Sequence, residues 1–390
     1  MLKYFFTVVF VLALSCYASG AEPKLLPQEL LDDGWISLFD GQTQYGWQTT
    51  GEAKWEVADG EVRTRGEKSG FLMTTTEWGE YLLHVEYKAA KQTNSGVFLQ
   101  SPTSPTDPAR DCYELNIAPV ENPFPTGSFV GRQKGTIKAK WFPAADEWHS
   151  YDVAVLGDEF AVRLDGKSVL QYTDAKPIRM GHIGLQSREG EVAFRNIRLK
   201  PMGLQPLLNG HDLGGWNKER AEKCQFQLTD KGELHLSNGP GQIETVRDYT
   251  NFVLQLECKV NGKGLNSGVF LRTLRKGRWA GYESQIQNGF KDGDRTKPKD
   301  FGTGAIYRRQ PARRVVADDN KWFTKTIVAD GPHLAVWVNG YQVSDWTDKR
   351  PEKESGREGL RLGGGAIAIQ GHDATTDFLF RKIGAVELPR

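Results

Sequence analysis

Cysteine is scarce in this chain, four in 390 residues, and no two form a Cys-x-x-Cys pair, which argues against a zinc knuckle. An excess of one charge is missing too. Lys and Arg number 50 against 49 Asp and Glu, a formal net charge of +1, and the signs are interspersed along the chain. Nucleic acid demands a strongly basic face, so it is not an expected partner. No apolar run reaches the roughly 20 residues of a membrane-spanning helix. Helical periodicity with caps is absent beyond a short turn at 28–31. There is no Gly-rich phosphate loop, no HExxH metal pair and no GxSxG elbow, so no nucleotide cofactor is expected.

The first 21 residues read as a secretory signal: Lys3, an apolar run at 4–14, then Ala18, Ser19, Gly20 and Ala21. Cleavage near Gly20 or Ala21 would leave an exported, soluble chain, periplasmic or extracellular. A lipid anchor on Cys16 is disfavoured, because Ala13 stands where that signal carries a larger aliphatic residue. The mature chain keeps 49 basic and 49 acidic residues and three cysteines. An oxidising compartment permits a Cys224–Cys258 bridge, and buried free thiols are equally open.

What the sequence does contain is a long internal repeat. "NSGVFLQ" at 94–100 is answered by "NSGVFLR" at 266–272. "SLFDGQTQYGWQ" (37–48) matches "PLLNGHDLGGWN" (206–217), and "YELNI" (113–117) matches "YESQI" (282–286). "PTGSFV" (125–130) matches "GTGAIY" (302–307), "HIGLQ" (182–186) matches "AIAIQ" (366–370), and "FRNI" (194–197) matches "FRKI" (380–383). The offset drifts from 169 to 186 residues, as it must if loops vary and strands do not. A repeat this long is a whole domain rather than a solenoid unit. The expected organisation is a signal at 1–21, one domain over 34–200 and a second over 204–390.

Each copy alternates apolar and polar residues, as in "YLLHVEYKA" and "FVLQLECKV", the period of strands with one buried face. Asp165-Gly166 and Asn339-Gly340 are hairpin signals. Many short strands with Gly-rich turns predict an all-β protein, two jelly-roll sandwiches in tandem.

The repeated phrase reads as an Asn-Ser-Gly turn, its glycine free to take unusual backbone angles, followed by a strand. Gln100 and Arg272 would then point opposite to the preceding leucine. By the same parity Glu114 and Asn116 share one face of the sheet, as do Glu283 and Gln285. Arg, Glu and Gln side by side can hold a sugar, whose hydroxyls need several donors and acceptors at fixed spacing. A solvated outer face is the bland alternative, and matched polar residues in both copies weigh against it.

These motifs, "LFDGQTQYGW", "NSGVFL", "YELNI", "TGAIY", the W…NG hairpin and "IGLQ…FRNI", together resemble the 3-keto-disaccharide hydrolase domain family. The resemblance covers nearly the whole mature chain, twice. It implies concanavalin A-like sandwiches and cleavage of 3-keto-glycosides by elimination and hydration or by hydrolysis. A C3 ketone acidifies the C2 proton, so such an enzyme needs a base and a cation or a divalent metal to hold the enolate oxygen. The resemblance implies Glu283 as base, Arg272 or Arg381 as enolate clamp, and His372, beside Asp373, as acid or metal ligand. Tyr307 would orient the substrate.

The first copy departs from this pattern. Gln100 replaces the arginine, no histidine follows Gln186, and Phe129 is aligned with Tyr307, while Glu114, Asn116, Arg195 and Asn196 remain. It reads as a binding or structural copy, the second as the active one. His84, His182 and His211 read as structural or turn residues, and Trp47 and Trp216 as core. "RRQPARR" (308–314) reads as a loop rimming the second site. Two other functions stay open, a non-catalytic lectin-like pair of sandwiches and a cell-surface interaction protein.

Overall fold

The structure, a computed structural model, describes residues 22–275 and 279–389; the expected signal at 1–21 lies outside the described residues. The chain forms two tandem jelly-roll β-sandwiches, each an eight-stranded sheet packed on a five-stranded one. One short helix, Gln28–Asp32, precedes them. Among the described residues no helix is long and apolar enough to cross a membrane.

The five-stranded sheet of the first domain runs Trp47–Gly51, Gly70–Thr74, His182–Ser187, Ser95–Ser101, Tyr113–Ile117. That of the second runs Trp216–Asn217, Gly241–Tyr249, Gly365–Gly371, Ser267–Thr273, Tyr282–Ile286 in the same order. The order matches because the repeated phrases are the strands. Val97, Leu99, Leu115 and Leu185 turn inward in the first copy, and Val269, Leu271, Ile286 and Ile369 in the second. Each such side chain contributes roughly 1.5–3 kcal/mol by leaving water. The hairpin dipeptides adopt the left-handed conformation that a tight turn requires, φ +49° and +74° at Asp165 and Gly166, +47° and +70° at Asn339 and Gly340.

Trp47 and Trp216 join the cores, and each indole N–H donates to a backbone carbonyl, Leu38 or Leu207, at 2.7 Å. Cys112, Cys224 and Cys258 are free and buried, so the bridge that the compartment would permit is not formed.

The first domain packs on the outward face of the second domain's eight-stranded sheet. Its core continues through Val253, Val328, Ala335 and Trp337, with the Trp78 and Trp337 rings 5.6 Å apart. Arg313 lies 4.2 Å from the ring centres of both Tyr45 and Tyr341 and donates to Asp40 at 2.8 Å. The second domain's five-stranded sheet therefore faces away from this junction. A site upon it belongs to one domain alone.

Candidate active site

Cross-strand register defines the face that matters. In the second domain Glu244 pairs with Ala368, Ala368 with Phe270, and Phe270 with Glu283. Beside this row Gln242 pairs with Gln370, and Gly268 with Gln285. Directly opposed residues share a face of a sheet, so all of these project away from the core. The first domain repeats the arrangement with Gln48, Met73, Gly184, Phe98 and Glu114 in one row. Thr50, Phe71 and Gln186 stand in the other, alongside the Gly96–Asn116 pair.

The glycine of the repeated phrase has a reason different from the expected one. Gly96 and Gly268 sit inside strands rather than in a turn. A methyl group on Gly268 would lie 2.7 Å from Glu283 Oε1, and one on Gly96 would lie 3.1 Å from Glu114 Cγ. In both copies the glycine makes room for the glutamate of the neighbouring strand.

Glu283 is 7% exposed. Burial pushes its carboxyl up to about 7; Arg357, Lys325 and Arg308 pull it down and Asp300 pushes it further up. Arg357 Nη1 is 3.6 Å from Oε2. Tyr307 donates its backbone N–H to the Glu283 carbonyl at 2.9 Å, and its ring packs edge-on to Phe301, 5.2 Å between centres. Glu283, Tyr307, Arg308, Arg309 and Arg357 line a cleft of about 20 Å³, room for about one water molecule. A space of this size does not hold a pyranose. The basic run at 308–314 thus does rim this carboxylate, through its first two residues.

The strand that carries Glu283 is held from behind. Lys325, fully buried in the sandwich core, donates from Nζ to the carbonyls of Ser284 and Gln285 at 2.9 and 3.0 Å. Burial draws its ammonium down to about 7, with Cys258 and Glu283 opposing. In the first copy Tyr151 does the same work, its hydroxyl donating to the Asn116 carbonyl at 2.7 Å.

Several expected site residues lie elsewhere. Arg272 is fully buried, and its guanidinium donates to the carbonyls of Thr250, Gly331 and Arg361 and to Asn251 Oδ1. Its φ of +51°, at a bulge of the strand, turns it from the Glu283 face toward main chain. It is a structural cation and cannot clamp an enolate. Gln100 repeats the bulge with φ +46° and donates to the Gly79 carbonyl at 3.1 Å, so it does not accompany Glu114. Arg381 belongs to the opposite, eight-stranded sheet, where it donates to Glu257 at 2.6 Å and lies 4.0 Å from the Trp322 ring centre. Arg195 does likewise with Glu86 at 2.6 Å and Trp148 at 3.9 Å. The "FR" of the repeat marks a pair of matching bulges, not a site.

His372 lies just past the end of its strand, the central one of the five, bonded through Nδ1 to Asp373 at 2.8 Å. It is not among the groups that move the Glu283 pKa. Gln285 is on the expected face, but its amide N–H groups go to Asp300 and its Oε1 accepts from the Ile286 N–H. Phe129 matches Ile306 rather than Tyr307: Phe129 and Ile306 bridge Leu115 and Ser284 in turn. Val130 is the counterpart of Tyr307, donating its N–H to the Glu114 carbonyl.

Glu114 and Asn116 do share a face. Glu114 is 2% exposed, and burial pushes its carboxyl up to about 7 against Arg188 and Gln186. Asn116 donates from Nδ2 to the Phe124 carbonyl. Its Oδ1 is buried and unpartnered among the described residues, as are the Oε1 atoms of Gln186 and Gln370.

Sequence reasoning missed Arg357, Lys325, Gln370 and Glu244. Gln186 and Gln370 end the matched phrases "HIGLQ" and "AIAIQ" and were the detectable signal. Met73 occupies the place of Glu244 in the other copy, so the repeat could not mark it; Gln242 and Arg220 bond Glu244 at 2.8 and 3.3 Å. Among the described residues no three His, Cys, Asp or Glu side chains form a metal-binding group. Around Glu283 a divalent ion would meet one partnered aspartate and several cations, a donor set that does not fit it.

A family model described as a 3-keto-alpha-glucoside-1,2-lyase-like domain matches residues 34–200 and again 203–384. A curated 3-keto-disaccharide hydrolase from Bacteroides thetaiotaomicron is 25% identical over 240 residues, 46% of this chain and 83% of that protein. Among solved structures, a provisionally assigned glycosyl hydrolase from Parabacteroides distasonis is 19% identical with a TM-score of 0.41, covering 47% of this chain and 100% of its own. A β-glucanase from Bacillus licheniformis is 16% identical with a TM-score of 0.33, covering 43% and 97%.

Proposed function

The chain belongs to the 3-keto-alpha-glucoside-1,2-lyase-like domain family, whose domain it carries twice, and from that premise we propose an exported enzyme that cleaves 3-keto-glycosides in its second domain. Glu283 carries the reading: a buried carboxyl near neutral pKa, at the floor of a cleft walled by Tyr307 and three arginines.

In the proposed reaction Glu283 takes the C2 proton, which the neighbouring C3 carbonyl has acidified. The C2–H electron pair enters the ring as an enolate, with its charge on the C3 oxygen. Arg357 and Arg308 replace the lost Arg272 and Arg381 as the cations for that oxygen, since both act on the same carboxyl. The enolate then re-forms the carbonyl, a C1–C2 double bond appears, and the C1–oxygen bond breaks. The departing oxygen is protonated, and water adds across the double bond in a second step. A base near pKa 7 suits this, because it is substantially ionised at neutral pH yet still a competent proton acceptor. Tyr307 orients the sugar.

The test is release of aglycone from a 3-keto-glucoside, with and without divalent metal, by wild type and Glu283→Gln. Turnover by wild type and its loss in the variant support the proposal. Tight glycan binding without turnover, unchanged in Glu283→Gln, favours the lectin-like reading instead.

A further inference from the structure

The first domain keeps the glutamate but changes its surroundings. Where the second domain places Gln242 and Glu244, both almost wholly buried, the first places Phe71 and Met73. Phe71 is half-buried, and the strand beyond it offers an exposed Gln48 and a half-buried Thr50. Phe71 rests edge-on against Phe98, 4.9 Å between ring centres at 70°, so its orientation is fixed. In the second domain Arg220 reaches over the corresponding region to bond Glu244 at 3.3 Å.

Two acceptors on this face, Gln186 beside Phe71 and Asn116 three strands away from it, have no donor. Gln186, its cross-strand partner, is 6% exposed and Asn116 is 2% exposed, and the side-chain oxygen of each is unpartnered among the described residues. The Asn116 orientation is set by its own amide, which must donate to the Phe124 carbonyl. A buried acceptor without a donor is destabilising. Such an acceptor in Gln186, beside an aromatic ring, calls for a ligand with an apolar surface and hydroxyl donors.

We propose that this face of the first domain is a second, non-cleaving saccharide site. Phe71 carries the C–H surface of a sugar ring, and the adjacent Gln186 Oε1 accepts its hydroxyls. The sugar class rests on the carbohydrate reading above; the site itself rests on geometry. Cleavage is not expected here. Val130 replaces Tyr307, Gly131 stands where the repeat aligns Arg308, and among the described residues Arg188 is the one cation that acts on Glu114, where three act on Glu283.

The experiment uses the full chain with Glu283→Gln, titrated calorimetrically with methyl α-glucopyranoside and its 3-keto derivative. Saturable binding is expected, weakened about tenfold or more by Phe71→Ala, as a lost aromatic contact implies, and comparably by Gln186→Ala. With Glu283 intact, Phe71→Ala should release aglycone from the 3-keto-glucoside within about twofold of wild type, because Phe71 lies in the other domain. Affinity unchanged in both variants, or no saturable binding, overturns the proposal. If wild type fails to cleave yet binding still depends on Phe71 and Gln186, the saccharide site stands and the enzymatic reading falls. Thermal melts of both variants separate loss of the site from loss of the fold.

Discussion

Arg357 Nη1 stands 3.6 Å from Glu283 Oε2, an ion-pair distance without a direct hydrogen bond. The guanidinium restrains a carboxyl group that burial pushes up to about 7 but does not lock it in place. A side chain held this way can part from its partner when a substrate enters. The same arginine can then turn to charge developing on that substrate.

The pH dependence of cleavage follows. The base must be ionised, so kcat/KM should rise with pH and level off above about 7. Arg357 pulls the Glu283 pKa down, so Arg357→Met should move this acidic limb to higher pH by up to about one unit. It should also lower the plateau, because a cation for the enolate is gone. A pH–rate profile of both proteins checks this; an unmoved limb would separate Arg357 from Glu283.

Gly268→Ala tests the reason for the repeated phrase. Its methyl group would meet Glu283 Oε1 at 2.7 Å, and a catalytic group misplaced by about 1 Å can cost on the order of 100-fold in rate. Gly96→Ala crowds Glu114 Cγ at 3.1 Å and should leave cleavage within about twofold of wild type. Comparable losses in both variants would contradict the assignment of cleavage to the second domain.

Arg381→Ala should leave kcat unchanged. It removes a partner of Glu257 and a cation 4.0 Å from the Trp322 ring centre, while Lys382 still bonds Glu257 at 2.7 Å. A stability loss of about 1 kcal/mol is expected, read from denaturant unfolding. Arg272→Ala should be far more damaging, about 3 kcal/mol or more, because it leaves several buried carbonyls unpaired.

Glu114 makes a stability prediction with a defined sign. Its folded pKa of about 7 lies above the unfolded value of about 4.3. The stability it contributes is present below about pH 4.3 and is lost as pH rises through about 7. Glu114→Gln removes that loss, so the variant should gain on wild type from pH 4.5 to 7, by at most about 4 kcal/mol, and hold the difference above. Melting temperatures across that range decide it.

The fold was legible because alternation and hairpin dipeptides are local signals, and because the strands that carry them occur twice. Glu283 and Glu114 were legible for the same reason, lying in matched strands with a parity that the sequence sets. Arg272 and Gln100 misled because each sits at a bulge, where one extra residue reverses the facing that alternation predicts; Arg381 and Arg195 do face outward, but from the opposite, eight-stranded sheet of each domain. Arg357 was invisible. It comes from the loop 352–361, with no strand period and no counterpart phrase, and only the folded chain brings it to Glu283.

The most direct measurement follows the C2 proton itself. A 3-keto-glucoside incubated in deuterated water should gain deuterium at C2 or lose its aglycone in the presence of wild type, and do neither with Glu283→Gln. Exchange or elimination continuing at the wild-type rate in that variant would show that another group takes the proton, and the role given to Glu283 would fall.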